Sequence, residues 1–133
     1  MLLSEFPQQV IDSHALIVAG ILGGETPSTD ILIQLAAEIL TIDKLTVLAA
    51  RQARTIKAAH DVWMAAHECF HASLDLWHRL PHDDCLAGHE RLLQRLVCSA
   101  SERLQFYTVS DYDRRVHNSQ RDHGLPLPYA ETQ

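Results

Sequence analysis

The fold of this chain is decided by residues 28–80, which read STDILIQLAAEILTIDKLTVLAARQARTIKAAHDVWMAAHECFHASLDLWHRL. The stretch contains neither glycine nor proline, and it is rich in alanine and leucine, which have high helix propensity. Its apolar side chains recur at the spacing of one helix face from Ile31 to Leu74. The pattern therefore predicts helix through the whole stretch.

The length of this stretch limits how it can be arranged. As one helix, residues 28–80 would be roughly 80 Å long at about 1.5 Å per residue. A compact chain of 133 residues is only about 30 to 40 Å across. The stretch must therefore either break or serve an oligomer as one long helix. We predict the break at Thr41–Asp43, because threonine and aspartate favour helix caps.

Two further helices are predicted on either side of the central stretch. The first runs from about Ser4 to Leu22 and is followed by two glycines that suit a helix end. The second, after Pro81, runs from about Cys85 to Tyr107. No period-two alternation typical of a strand occurs in the sequence.

These patterns predict an all-α protein, a helical bundle of three to five helices. We expect one domain over residues 1–116 and a flexible polar tail over residues 117–133. Within this tail, residues 125–129 read LPLPY, a composition that suits a polyproline-type ligand for a partner. The simpler interpretation, which we prefer at this stage, is a disordered end.

The composition narrows the classes of function and location. A formal net charge of −6 argues against non-specific binding to nucleic acid. The three cysteines are odd in number and form no CxxC pair, so we expect reduced thiols in a cytoplasmic protein. No uncharged apolar stretch approaches the roughly 18 residues of a membrane span, and no signal peptide is visible.

The chain has nine histidines, and four of them form a row on the central stretch. At about 100° per residue, the row falls within an arc of roughly 40° between an apolar face and a charged face. Histidine is amphipathic and suits such a border, which is our preferred interpretation. The alternative is a transition-metal site, because neutral imidazoles one helical turn apart can share a metal. The row consists of His60, His67, His71 and His78.

The segment His67-Glu68-Cys69-Phe70-His71 resembles the HExxH signature of zinc peptidases. The resemblance implies that His67 and His71 bind zinc and that Glu68 is the general base. Glu90 has the spacing of the third ligand in one aminopeptidase group. The rest of the chain departs from these enzymes, since its pattern predicts no strands to hold a substrate.

Other helices offer further ligands for a metal at His67 and His71. His14 and His89 fall on the predicted apolar faces of the first and last helices, and Glu90 falls at the edge of the latter. These residues are the candidate partners if zinc or iron binds. Under our preferred interpretation no cofactor is expected.

The function that this sequence favours is a non-catalytic binding or regulatory module that acts through protein–protein contacts. We expect it to self-associate, because the central stripe is longer than a compact monomer can cover. The expected interface residues are the large apolar side chains of the central stretch, which are good anchors for an interface. They are Trp63, Phe70, Leu74 and Trp77.

Overall fold

The computed structural model describes residues 5–81 and 84–123, and these residues contain helices and no strands. The all-α prediction is confirmed for this part of the chain. The four helices are α1 (Glu5–Leu22), α2 (Thr29–Gln52), α3 (Ile56–Arg79) and α4 (His89–His123), with a short 3₁₀ turn at Asp84–Leu86.

The central stretch breaks at residues 53–55, so the predicted break at Thr41–Asp43 is wrong. Thr41 stays inside α2, where its hydroxyl donates to the Ala37 carbonyl at 3.1 Å. Thr55 instead caps α3, since its side-chain oxygen accepts the Ala58 N–H at 3.0 Å. The chain turns back at this short connection, and the size argument for one long helix no longer applies.

Helix α4 is longer than predicted, because it continues past Tyr107 to His123. Val116, in this extension, is buried, and Asp111 forms ion pairs with Arg114 and Arg115 one turn further along the helix. The first residues of the predicted tail are therefore helical. Residues 124–133 lie outside the described residues.

The helices surround one core, with α2 and α3 packed against each other in the middle. Helix α1 packs on one side of this pair and α4 on the other, while α1 and α4 are not principal neighbours. Phe70 lies inside this core at 1 % exposed, and Trp63 is 4 % exposed, so neither side chain offers a large surface to a second molecule. The other two expected interface residues, Leu74 and Trp77, are half-buried. The largest fully buried apolar side chains are Phe70, Leu32, Leu35, Ile39, Ile42, Leu76 and Leu93.

An arginine of α4 closes the carboxyl-terminal end of α2. Arg115 donates to the Ala50 and Ala53 carbonyls at 2.8 and 2.9 Å, and to Asp111 at 2.8 Å. The last carbonyls of a helix have no partner within it and carry partial negative charge. The guanidinium therefore gives the Ala53 carbonyl a donor, adds a second donor to the Ala50 carbonyl, which also accepts the Ala53 N–H at 3.2 Å, and joins α2 to α4.

None of the helices in the described ranges has both the length and the apolar character needed to cross a bilayer.

Candidate functional site

A buried histidine connects three of the four helices. His14 of α1 is 1 % exposed. Its Nδ1 lies 3.0 Å from Oε1 of Glu38 on α2, and its Nε2 lies 2.6 Å from Oγ of Ser73 on α3. Glu38 also accepts a hydrogen bond from the Ser13 hydroxyl at 3.2 Å. His14 is thus hydrogen-bonded through both ring nitrogens.

The proton positions in this network follow from its geometry. The Ser73 hydroxyl lies 3.0 Å from the Cys69 carbonyl as well as close to His14, and its one proton serves one acceptor at a time. With neutral His14, Ser73 donates to Nε2 while Nδ1–H donates to the Glu38 carboxylate. Burial lowers the pKa of His14, although the hydrogen bond and charge of Glu38 partly oppose this effect. The neutral imidazole is therefore the favoured form at pH 7.

The thiol next to this network is unreactive. Burial raises the pKa of Cys69 to about 12, and the Glu38 charge adds to this effect. Because the thiolate is the nucleophilic form, a thiol that stays protonated at neutral pH does not attack substrates.

The order Glu38–His14–Ser73 is that of a serine-hydrolase triad, but the arrangement lacks access to substrate. Both Ser73 and His14 are only 1 % exposed. A substrate carbonyl cannot approach a hydroxyl that is covered on all sides by the core. We therefore interpret the network as a structural connection between α1 and the central pair of helices.

The histidine row lies on the outside of the bundle. His60, His71 and His78 are exposed, and His67 is half-buried. The ring centroids of His67 and His71 are 4.5 Å apart, as their spacing of one turn predicts. Glu68, the base in the zinc-peptidase resemblance, is exposed.

The metal ligands suggested by the sequence are not brought together. Over residues 5–81 and 84–123, no group of three or more histidine, cysteine, aspartate or glutamate side chains is placed to hold a metal ion. His14 is engaged by Glu38 and Ser73, and His89 is half-buried at the start of α4. The row therefore offers the pair His67 and His71 without a third ligand from these residues.

Glu90 is more deeply buried than its predicted position at the edge of the apolar face. Its side chain is 0 % exposed, and neither carboxylate oxygen accepts a hydrogen bond in the described structure. On α4 it shares a helix face with Leu93 and Val97, which are also fully buried. A buried carboxyl group without a hydrogen-bond partner lowers the stability of a fold.

Replacing Glu90 with methionine should therefore stabilise the protein. We expect the free energy of unfolding to rise by about 1 to 2 kcal/mol, because the volume is retained and the unpartnered carboxyl group is removed. Chemical denaturation measures the change, with the exposed Glu102→Met on the same helix as the control. A loss of stability in Glu90→Met alone would mean that the carboxylate holds a stabilising partner.

A half-open cleft of about 220 Å³ lies where α2, α3 and α4 meet. Its floor is made of buried side chains, namely Thr46, Ala50, Trp63 and Leu104. Its rim is made of exposed and half-buried side chains, namely Val47, Arg51, Phe106, Tyr107, Ser110, Asp111 and Arg114. We call this site the aromatic cleft.

The floor of the aromatic cleft contains a hydroxyl without a partner. Thr41 and Thr108 donate to the carbonyl four residues earlier in their helices, whereas the buried Thr46 hydroxyl makes no hydrogen bond with the described residues. An unpaired buried hydroxyl costs roughly 1 to 3 kcal/mol. At 1 % exposed, this hydroxyl lies below the surface of the cleft and is as inaccessible to a bound molecule as the hydroxyl of Ser73.

The rim of the aromatic cleft combines aromatic rings with positive charge. Phe106 is 70 % exposed, and the Arg51 guanidinium lies 5.9 Å from the centre of the Tyr107 ring. Arg114 pairs with Asp111, which also accepts from Arg115. The negative charge of Asp111 is thus shared between two arginines, and the rim as a whole is cationic.

Comparisons with protein-family models, curated proteins and solved structures found no match to this chain. The apolar pattern of the sequence marks Trp63 as a large apolar anchor but does not predict the cleft, because the walls of the cleft come from three separate helices. The pair Phe106 and Tyr107 is the feature of the sequence that could have indicated the cleft, because Phe106 lies off the apolar stripe of α4.

Proposed function

We propose that the protein is a non-catalytic binding module, and that the aromatic cleft takes an apolar side chain of a protein partner beside a carboxylate. The observation that carries the proposal is the exposed Phe106 on the rim of a cleft whose floor is largely apolar and whose rim carries Arg51 and Arg114. Concave apolar sites with a few polar groups are the usual places for binding.

The size of the aromatic cleft favours a side chain over a cofactor. Sites for drug-sized ligands and cofactors usually measure about 300 to 1,000 Å³, and this cleft of about 220 Å³ is smaller. Large aromatic and aliphatic side chains that fill such pockets carry most of the affinity of protein interfaces. One such side chain from a partner would cover Phe106 and Trp63.

The charge of the rim favours an acidic partner segment. Arg51 and Arg114 are exposed at the rim, although the chain as a whole has a net charge of −6. Arginine pairs well with carboxylates, which it binds through two parallel hydrogen bonds. A carboxylate next to the inserted side chain would match this local excess of positive charge.

The side chains of the aromatic cleft do not favour catalysis. No histidine or cysteine is among its lining residues, and Asp111 is engaged by two arginines. Within residues 5–81 and 84–123, the Ser73 hydroxyl pairs with a histidine base, and it is buried elsewhere. The metal-binding alternative rests on His67 and His71 alone, which are fewer ligands than a zinc site uses.

An aromatic anion should therefore bind to the folded protein at the aromatic cleft. We expect the fluorescence of 1-anilinonaphthalene-8-sulfonate to increase with the wild-type protein under native conditions. Phe106→Ala and Arg51→Glu should each weaken this binding by about tenfold, because each removes one of the two matching features.

Val109→Ala is the matched control for this titration. Val109 is 59 % exposed on the same helix but does not line the cleft. Equal binding by the Phe106→Ala, Arg51→Glu and Val109→Ala proteins would contradict the proposed function.

A further inference from the structure

We propose that the aromatic cleft takes residues 125–131 of a second copy of this chain. This inference rests on the proposed function and names the partner. The segment reads LPLPYAE and lies in the part of the chain beyond α4.

The chemistry of this segment matches that of the aromatic cleft. Extended segments with alternating prolines dock into grooves lined by aromatic side chains, because they lose little conformational entropy on binding. Trp63, Phe106 and Tyr107 provide such a lining. Leu127 and Tyr129 provide apolar side chains on the segment.

The polar groups of the segment also find partners in the cleft. The Tyr129 ring can pack against the lining while its hydroxyl stays at the solvent-exposed rim, since a phenol that enters an apolar site needs a hydrogen bond. Glu131 follows two residues later and carries the carboxylate that Arg51 or Arg114 would pair with. The segment therefore combines the apolar side chains and the carboxylate that the cleft favours.

Chain length favours a second copy over the same chain. Along α4, about 13 Å separate Arg114, at the near edge of the cleft, from His123, and roughly 25 Å separate Phe106 from His123. An extended chain reaches about 7 Å from His123 to Leu125 and about 20 Å to Tyr129. Within one chain the segment would have to fold straight back and stay fully extended for Leu127 and Tyr129 to reach the near edge, and Leu125 would not reach it, whereas a second copy can lay the whole segment across the cleft.

Two copies that exchange these segments form a closed symmetric pair. Each copy then provides one cleft and one segment, so the contacts are equivalent and leave no cleft unfilled. Self-association by this route does not use the central stripe, which is buried within each chain.

Sedimentation of the full chain at tens of micromolar tests the inference. We expect the wild-type protein and the Val109→Ala control to be dimers. A cleft variant, Phe106→Ala, and a tail variant, Leu127→Ala with Tyr129→Ala, should be monomers at the same concentration. A wild-type monomer, or a tail variant that remains dimeric, would overturn the inference.

Mixing the two variants provides the sharper test. The tail variant keeps an intact cleft and the Phe106→Ala variant keeps an intact tail, so an equal mixture should form a mixed dimer held by one exchanged segment. If the two variants were monomers only because they misfold, mixing them would not restore a dimer. If both variants are folded by circular dichroism and the mixture stays monomeric, the exchange is excluded.

A labelled peptide of residues 124–133 separates this inference from the proposed function. It should bind the full-length tail variant, and Phe106→Ala in that variant should weaken binding by about tenfold. If the aromatic anion binds and the peptide does not, the second copy is the wrong partner and the cleft remains a binding site. If neither binds, the proposed function itself fails.

Discussion

Replacement of His14 with alanine is expected to lower the free energy of unfolding by about 3 kcal/mol. The change removes hydrogen bonds of 3.0 Å to Glu38 and 2.6 Å to Ser73, and it leaves both partners in or near the core without a replacement. It also creates a cavity at a site that is 1 % exposed. Denaturation by urea near neutral pH measures the loss.

His71→Ala is the matched control, because it removes an imidazole from the exposed face of α3. Its effect should stay within about 0.5 kcal/mol, as for most surface substitutions. Similar losses in the two variants would show that the buried network does not hold the helices together as we describe.

The same network should make stability depend on pH in a defined direction. Burial lowers the pKa of His14 in the folded protein, whereas a histidine in the unfolded chain has a pKa of about 6.5. Below about pH 6.5, His14 of the unfolded chain therefore binds a proton more readily than His14 of the folded chain. The free energy of unfolding falls as a result. The wild type should therefore lose more of its free energy of unfolding on acidification than His14→Gln, so that the difference between the two proteins shrinks. A difference that grows would contradict the lowered pKa of His14.

Replacement of Arg115 with methionine should cost about 2 to 3 kcal/mol of stability. The variant keeps the aliphatic packing but loses the hydrogen bonds to the Ala50 and Ala53 carbonyls and to Asp111. The Ala53 carbonyl then loses this donor, the Ala50 carbonyl keeps only the Ala53 N–H at 3.2 Å, and α4 loses its attachment there. Thermal and chemical denaturation measure the effect, and amide exchange in the last turn of α2 should accelerate.

Arg103→Met provides the comparison, since Arg103 also connects α4 to α2. It donates to one oxygen of Asp43 at 2.9 and 2.6 Å, but its side chain is 46 % exposed. Solvent-exposed ion pairs contribute about 0 to 1 kcal/mol. Equal losses in the two variants would mean that Arg115 acts as an ordinary surface ion pair and not as the cap of α2.

Local sequence patterns determined the class of fold. The helical spacing of apolar residues and the absence of glycine and proline over residues 28–80 are properties of neighbouring residues, and they were sufficient to predict helices. The same kind of pattern predicted the end of α1 near Gly23. It also placed His14 on an apolar face, and His14 is buried in the fold. These features depend on periodicity and propensity, which act within a few residues.

The position of the turn in the central stretch was decided by tertiary packing. Both Thr41–Asp43 and Thr55 offer a capping side chain, so local propensity does not choose between them. Burial of Ile42 in the core and the contact of Asp43 with Arg103 on α4 keep α2 intact at the first position. Such contacts join residues far apart in the chain and are invisible to local patterns.

The candidate sites likewise arose only on folding. His14 and Ser73 are 59 residues apart in the sequence, and Arg115 reaches α2 across a similar separation. The aromatic cleft collects Thr46, Trp63 and Phe106 from three helices, and nothing in any one helix marks its residues as a group. The sequence by itself determined which faces of the helices are apolar, whereas the packing of those faces decided which polar and aromatic groups meet, because hydrogen bonds and clefts depend on distances that the chain order does not specify.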